Sequence, residues 1–259
     1  MQAKTIALHI PYDGSAYRLT SNDRDAVLAG TESNGGVYEP HIMKWLKDKL
    51  PTDAVCMDIG ANIGAISIAM AHVAQQGTVY AFEPSGHNFH YLVHNIADNG
   101  LSRIIPVHAG AYNDNVQLAF SYIDYGGAWS HITTSQSQQG IQEVVNCVKL
   151  DDWVSNTGLR RLDCLKIDVE GAEIKVLQGA VDLIKRFRPH LIIEFNPDAH
   201  QGIFGEDPKL LYDVLSQMFF HLTVIDLSGA LIPIHSYNDI LNILSDGRQL
   251  VDIWCSFDK

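Results

Sequence analysis

The 259-residue chain has the length of one large α/β domain, and its 46% content of hydrophobic residues is enough for a full core. Its formal net charge of −12 argues against general nucleic-acid binding, because phosphate recognition requires a basic face. The sequence has no run of about eighteen apolar residues and no signal-peptide pattern at its N-terminus, so we expect neither a membrane span nor secretion.

The N-terminal part is predicted to be peripheral to the core. Residues 1–36 include one expected edge strand at 5–10. A helix is predicted over 41–50, because its apolar residues follow helical spacing and a proline ends it. Tyr38 and Glu39 precede this helix and are placed to fold over the mouth of a ligand site. An ordinary helix start with an acidic first turn is an equally good interpretation.

The segment VCMDIGANIG at 55–64 predicts a strand, a tight turn and the start of a helix. Its short apolar run is typical of a buried parallel strand, which ends at Asp58. Gly60 and Gly64 then allow a tight turn and the close approach of a ligand to the main chain. Because the first N–H groups of the next helix point into the same space, the motif predicts a nucleotide-like cofactor there. A plain strand-to-helix turn with a capping carboxylate is the alternative.

An acidic residue after the second strand narrows the choice of cofactor. The strand is predicted over 78–82, and Glu83 follows it, where a carboxylate can hold two ribose hydroxyls. A dinucleotide-binding turn has glycine at the position of Asn62, and the Asp58 carboxylate would repel a pyrophosphate. The same carboxylate suits a ligand with a cationic sulfonium and an amine, so the pattern favours S-adenosylmethionine over NAD.

A third strand is predicted over 104–108, and small residues follow it. Ala111 ends this small segment and can lie against an adenine ring, although small residues also simply allow close packing. Residues 112–148 then form a predicted inserted hairpin or loop between the third and fourth parallel strands. Long insertions at this end of a sheet commonly contact substrate, and we expect the same here.

The fourth and fifth parallel strands, predicted over 164–168 and 191–195, end in acidic side chains. Asp168 and Glu170 follow the fourth strand and Glu194 ends the fifth, so all three lie at the same sheet edge as the cofactor motif. Their oxygens can hold Mg²⁺ against a substrate oxygen, which makes Asp168, Glu170 and Glu194 a candidate metal site. Alternatively, Asp168 and Glu170 orient loops and accept hydrogen bonds from the next helix.

Five blocks of the sequence resemble, in order, those of the FkbM family of S-adenosylmethionine-dependent methyltransferases. They span about residues 38–197 and are VCMDIGANIG, VYAFEPSGHNFHYLVHNIADNG, CVKLDDWV, LKIDVEGAEIKVLQGA and IIEFNP. The resemblance implies the α/β, Rossmann-like fold of class I methyltransferases: a seven-stranded, mostly parallel sheet with helices on both faces and an antiparallel last strand. It also implies O-methylation of a hydroxyl group on a small molecule, such as a natural product, a sugar or a glycan unit.

The family pattern also implies roles for single residues. The glycine turn from Asp58 to Gly64 is implied to line the methionine part of the cofactor, and Glu83 to hold the ribose. Together with the residues at the cofactor mouth, the expected cofactor-binding set is Glu39, Asp58, Gly60, Asn62, Gly64, Glu83, Ala111 and Asp168.

Methyl transfer to a hydroxyl group needs a base or a metal, because a protonated hydroxyl is a poor nucleophile. Besides Mg²⁺, the candidate catalytic residues are His131, Glu194 and Asp168. His131 lies in the insertion, and histidine titrates near neutral pH, but one histidine among twelve is more often a surface or packing residue.

The whole chain, 1–259, is predicted to be a single methyltransferase domain with an N-terminal extension at 1–50. Its four cysteines form no C-x-x-C pair, so we expect buried thiols in a reducing cytoplasm rather than a zinc site. The expected partner is a small-molecule hydroxyl acceptor, and a homo-oligomer is compatible with the sequence. An NAD-type Rossmann enzyme and a non-catalytic partner protein with a methyltransferase fold are the alternative functions.

Overall fold

The computed structural model describes the backbone of residues 2–123, 126–132 and 141–257, and the side chains in these ranges outside 122–142. The described strands are β1 (Ala3–His9), β2 (Ala16–Asn22), β3 (Val55–Ile59), β4 (Thr78–Phe82), β5 (Ile104–Val107), β6 (Gly110–Tyr112), β7 (Val116–Ile123), β8 (Gly126–Ile132), β9 (Ile141–Lys149), β10 (Cys164–Ile167), β11 (His190–Phe195), β12 (His221–Ile225), β13 (Leu231–Ile234) and β14 (Val251–Ser256). The described helices are α1 (Ala26–Ser33), α2 (Pro40–Lys49), α3 (Ala65–Val73), α4 (Gly86–Asp98), α5 (Leu150–Thr157), α6 (Glu173–Gln178), α7 (Val181–Phe187), α8 (Pro197–Ala199), α9 (Lys209–Met218) and α10 (Tyr237–Leu244). A π-helical turn, His200–Phe204, continues α8.

The main sheet has the strand order β13-β12-β14-β11-β10-β3-β4-β5. Its strands β11, β10, β3, β4 and β5 are parallel, and β14 runs antiparallel to both of its neighbours, β11 and β12. The predicted α/β class with a mostly parallel sheet and an antiparallel last strand is therefore confirmed.

The sheet has an eighth strand, β13, where we expected seven strands. It forms a hairpin with β12 through a turn in which Asp226 N donates to Ala230 O. Three of its four residues are exposed and it contains a proline, so it lacks the apolar alternation by which a strand is recognised in sequence.

Helices cover both faces of this sheet because the inner strands are apolar on both sides. β10, for example, is buried along its whole length. Helices α2, α3 and α4 contribute to the core on one face. Helices α5, α6, α7 and α9 contribute to the core on the other. A buried parallel sheet exposes only its strand ends, which leaves the carboxyl edge as the place for a site.

The N-terminal extension packs against α4, close to the turn after β3. Strands β1 and β2 form an antiparallel pair, and α1 follows with Asp25 as its N-cap. Asn95, buried in α4, accepts from Thr20 N at 2.8 Å and donates to Ile63 O at 2.8 Å. This side chain ties β2 to the turn after β3. The helix α1 lies in a polar stretch where we predicted no secondary structure.

The predicted insertion forms most of a second sheet, with strand order β6-β9-β7-β8. β6 pairs in parallel with β9, β9 pairs antiparallel with β7, and β7 pairs antiparallel with β8. That this insertion contacts a substrate stays a prediction.

All four cysteines are free and buried, as expected of structural thiols. None of the helices in the described part of the chain has the length and apolar character of a transmembrane segment.

Candidate functional site

A cavity of about 290 Å³ opens at the carboxyl ends of β3, β4, β10 and β11. It lies where the sequence motifs predicted a cofactor. Six carboxylic side chains line it, and they are Glu39, Asp58, Glu83, Asp168, Glu170 and Glu194.

The turn after β3 brings the main chain close to the end of β10. Gly60 has φ +86°, and a Cβ atom there would lie 1.8 Å from Asp168 O. Because only glycine fits this contact in a left-handed conformation, Gly60 sets the spacing between the two strand ends. Gly64, at φ +97°, does not line the cavity; its missing Cβ leaves room for Leu92 of α4.

Asp58 presents one free carboxylate oxygen to this turn. Its side chain is 1% exposed, and Oδ2 accepts from Ser67 Oγ at 2.6 Å. Oδ1 is buried and accepts no hydrogen bond from the described residues. Burial raises the pKa of Asp58, while the Lys166 ammonium and the Ser67 hydroxyl oppose this shift. An unpartnered buried carboxylate oxygen is stabilised by a cationic or donor group of a ligand.

Glu83 holds two backbone amides at the end of β4. Oε2 accepts from Asn62 N at 2.9 Å, and Oε1 accepts from Ser85 N at 2.9 Å. Each oxygen keeps a further lone pair, so the carboxylate can also accept from two hydroxyl groups of a ligand. Burial raises the pKa of Glu83 to about 7, although these hydrogen bonds oppose the shift.

Glu39 closes the cavity from the N-terminus of α2. It has φ +43° and occupies the N-cap position without making a side-chain capping hydrogen bond. Its Oε2 is buried and unpartnered among the described residues. Burial raises the pKa of Glu39 to about 7, with Lys166 opposing and Asp252 and Asp168 adding to the shift. Glu39 thus stands at the start of α2 and also lines the cavity, and its role towards a cofactor stays a prediction.

Lys166 also lines the cavity, and the sequence motifs did not select it. It lies inside β10, is 3% exposed, and its Nζ donates to Asp168 Oδ2 at 2.7 Å. Burial alone would lower its pKa, but the carboxylates of Asp168, Glu39 and Asp58 raise it well above the usual value. The ammonium therefore stays charged and compensates part of the negative charge in the cavity.

The three expected metal ligands lie together. One oxygen each from Asp168, Glu170 and Glu194 falls within 4.8 Å of the others. Burial and the neighbouring carboxylates raise the pKa of Glu170 to about 9 and that of Glu194 well above its usual range. Oε1 of Glu194 has no partner among the described residues. Such a cluster can hold a cation, or can share protons and accept hydrogen bonds from hydroxyl groups.

Of the expected cofactor-binding set, every member except Gly64 lines the cavity, including Ala111 at the end of β6. The backbone of His131 lies in β8, opposite Ser121 of β7. The side chain of His131 lies outside the described residues.

The comparisons with known proteins agree with this geometry. A family model, the methyltransferase FkbM domain, matches residues 58–244, which is most of the chain. The chain belongs to the FkbM methyltransferase family. It is therefore a methyltransferase-family enzyme, and the family resemblance is confirmed.

Individual relatives are distant. The chain is 25% identical over 218 residues to hexuronic acid methyltransferase AglP of Haloferax volcanii, covering 83% of each protein. It is 24% identical over 148 residues to 2-O-methyltransferase NoeI of Sinorhizobium fredii, covering 52% of this chain and 61% of the relative. A solved FkbM methyltransferase from Methylobacillus flagellatus superposes with a TM-score of 0.51 at 17% identity, over 80% of this chain and 44% of that one. This last likeness supports the fold alone.

Lys166 had a signal in the sequence. It is the one charged residue within an otherwise apolar strand, two positions before Asp168. On a strand, positions i and i+2 share a face, so the pair could have been expected to meet. Asn88 and Phe120 also line the cavity, and neither has a comparable signal.

Proposed function

We propose that this FkbM-family chain transfers a methyl group from S-adenosylmethionine to a hydroxyl group of a small molecule, with a sugar or glycan unit as the favoured class. The observation that carries the proposal is the buried, unpartnered Oδ1 of Asp58 beside the Gly60 turn, with Glu83 on the neighbouring strand. The names of AglP and NoeI, a hexuronic acid methyltransferase and a 2-O-methyltransferase, support this class of acceptor.

The residues present fit the cofactor. Asp58 offers a carboxylate oxygen to the amine and to the sulfonium charge, and Glu83 offers two oxygens to the ribose hydroxyls. Ala111 leaves room for a flat ring. When bound, the cofactor supplies an electrophilic methyl group on a cationic sulfur.

NAD fits the same turn poorly. The backbone N–H of Asn62 already donates to Glu83, so it is not free to hold a pyrophosphate. Asp58 would add like-charge repulsion. These two features favour the methyl donor over the dinucleotide.

The acceptor hydroxyl must lose its proton as its oxygen attacks the methyl carbon in line with the breaking S–CH₃ bond. Glu194 is our proposed base, because one of its oxygens is buried, unpartnered and lines the cavity. Its raised pKa makes the ionised form of this side chain a stronger proton acceptor than an ordinary carboxylate. Asp168 is a weaker candidate, since Lys166 holds one of its oxygens. His131 remains a candidate from the sequence. The Glu194 carboxylate would take up the proton of the acceptor hydroxyl and so lose its negative charge as the methyl group is transferred.

A Mg²⁺-assisted variant of the same reaction is favoured by the clustering of Asp168, Glu170 and Glu194. The Lys166 ammonium, 2.7 Å from Asp168 Oδ2, opposes it by supplying a competing positive charge. Dialysis against EDTA separates the two schemes: activity should survive under base catalysis, and should vanish and return with Mg²⁺ under metal catalysis.

The proposal is tested first by binding. S-adenosylhomocysteine should raise the melting temperature and NAD should not. Asp58→Asn should weaken S-adenosylhomocysteine binding at least tenfold, whereas Asp53→Asn, on the exposed Asp53–Arg161 ion pair, should not change it. Equal affinities for both variants and the parent protein would contradict the assigned cofactor site.

Turnover is tested with labelled methyl donor and a panel of glycosides and other polyols. Glu194→Gln should slow transfer at least a hundredfold without weakening S-adenosylhomocysteine binding. Full activity in this variant would show that Glu194 is not the base and would leave Asp168 and His131 as the candidates. Tight cofactor binding without product from any acceptor would favour a non-catalytic partner protein.

A further inference from the structure

The acceptor end of the cavity is built from carboxyl groups. If Glu39, Asp58 and Glu83 face the cofactor, the acidic groups left for the acceptor are the other three of the six, Asp168, Glu170 and Glu194, which converge within 4.8 Å. Glu194 is 9% exposed, and its unpartnered oxygen lines the cavity. A ligand group that enters here meets acidic oxygens first.

Positive charge is scarce at this end. Among the described residues that line the cavity, Lys166 is the only lysine or arginine. Its ammonium donates to Asp168 at 2.7 Å, and the carboxylates of Glu39 and Asp58 also act on it. Its charge is thus already shared among acidic groups, which leaves little for an incoming anion.

Two basic residues close to lining residues in the sequence, His41 and Arg248, are also engaged by carboxylates. His41, two residues after Glu39, has Nε2 2.8 Å from Asp252 Oδ2. Arg248 binds Asp226 at 2.9 Å and Asp246 at 2.6 Å. The segment 122–142 contains one histidine, His131, and neither lysine nor arginine. This insertion therefore brings no permanent positive charge to the site.

Resting on the proposed function, we infer that the acceptor presents a neutral hydroxylated group or an amino group, and no carboxylate or phosphate, to Glu170 and Glu194. Hydroxyl and ammonium groups donate hydrogen bonds, and carboxylates accept them. A carboxylate on the acceptor would be desolvated among closely packed acidic groups with no free cation to pair with, which is a strong basis for rejection. The acceptor class is therefore polyols and amino sugars rather than uronic acids or sugar phosphates. In this respect the acceptor would differ from the hexuronic acid in the name of AglP, which supports only the sugar part of the proposed class.

The test uses three methyl glucosides that differ only at carbon six: a hydroxymethyl, an aminomethyl and a carboxylate group. Their dissociation constants are measured by calorimetry at one ionic strength, on the protein alone and on the protein saturated with S-adenosylhomocysteine. We expect the amine to bind at least tenfold more tightly than the carboxylate, with the neutral sugar between them. Equal or tighter binding of the carboxylate, or no binding of the amine and the neutral sugar, would overturn the inference.

A double variant, Glu170→Gln with Glu194→Gln, should reduce the preference for amine over carboxylate to less than threefold. Asp198→Asn, an exposed acid after β11 that does not line the cavity, is the matched control and should keep the full preference. An unchanged preference in the double variant would also overturn the inference. Failure of the proposed function can be told apart from failure of this inference. The proposed function fails if S-adenosylhomocysteine does not bind or no methyl group is transferred, and neither result depends on which sugar binds more tightly.

Discussion

Replacement of Gly60 by alanine tests the close approach on which the site is built. The new Cβ would lie 1.8 Å from Asp168 O and 3.0 Å from its carbonyl carbon. Both contacts are to backbone, so neither can be relieved by rotating a side chain. The end of β10 must move by roughly 1 Å, and with it the Asp168 carboxylate that Lys166 holds.

Two terms contribute to the expected loss of stability. The left-handed conformation at φ +86° disfavours alanine by about 1–2 kcal/mol. Overpacking against the backbone of Asp168 adds about 1–3 kcal/mol. The free energy of unfolding should therefore fall by about 2–5 kcal/mol, a large part of the roughly 5–15 kcal/mol typical of a folded domain.

Gly100→Ala is the matched control. Gly100 also has a left-handed conformation, φ +64°, but a Cβ there would meet nothing within 4 Å. The free energy of unfolding of Gly100→Ala should therefore fall only by the conformational cost of alanine, about 1–2 kcal/mol. The difference between the two variants isolates the contact with Asp168.

Urea unfolding measures both losses, and calorimetry measures the affinity for S-adenosylhomocysteine. Gly60→Ala should bind this ligand at least tenfold more weakly, and Gly100→Ala should bind it like the parent protein. If Gly60→Ala lost no more stability than Gly100→Ala and kept its affinity for S-adenosylhomocysteine, the proposed role of the close contact between Gly60 and Asp168 would be refuted.

Three further predictions concern the charged cavity. Burial raises the pKa of Glu39 and Glu83 from 4.5 to about 7, so the folded protein holds more protons than the unfolded chain between these values. The free energy of unfolding of the cofactor-free protein should therefore fall as the pH rises from about 4.5 to about 7, and urea unfolding at each pH measures this fall. The variant Glu83→Gln should show a smaller fall. A rise in stability over this pH window would contradict the raised pKa values of Glu39 and Glu83. Lys166→Met should destabilise the protein by about 3–5 kcal/mol in the same assay, because it leaves buried carboxylates uncompensated, whereas Lys175→Met, on a more exposed pair, should lose about 1 kcal/mol or less. Asn62→Gly restores a dinucleotide-like glycine pattern, yet it should gain no NAD binding in a thermal-shift assay, since its N–H still donates to Glu83; a shift with NAD would refute this reasoning.

The cofactor end of the site was largely predictable from the sequence. Gly60 has a left-handed conformation and a close backbone contact that a side chain would prevent. A glycine at this position of the motif therefore indicates a tight turn against a neighbouring strand end. Asp58 and Glu83 follow buried strands, and parallel strands bring their carboxyl ends together. Local pattern was sufficient there because the geometry is set within a few residues of each strand end.

Features that depend on distant partners were not predicted. Lys166 is buried only because Asp168, Glu39 and Asp58 surround its ammonium, and two of these come from other elements. The strand β13 exists because it pairs with β12, since its own residues are mostly exposed. The helix α1 begins with the Asp25 cap inside a polar stretch, and its packing, not its pattern, makes it a helix.

The strand β13 also limits how copies of this enzyme can associate. Asp226 N donates to Ala230 O, and by the alternation of an antiparallel ladder the nitrogen of Pro233 faces the free side of the sheet. Proline has no hydrogen to donate, so a strand added at this border would meet a gap in the row of donors, even though Leu231 and Ile232 are 41% and 37% exposed beside it. Growth of the sheet from one molecule into the next is thereby discouraged at this border, and association there would have to rely on side-chain packing rather than on an added strand.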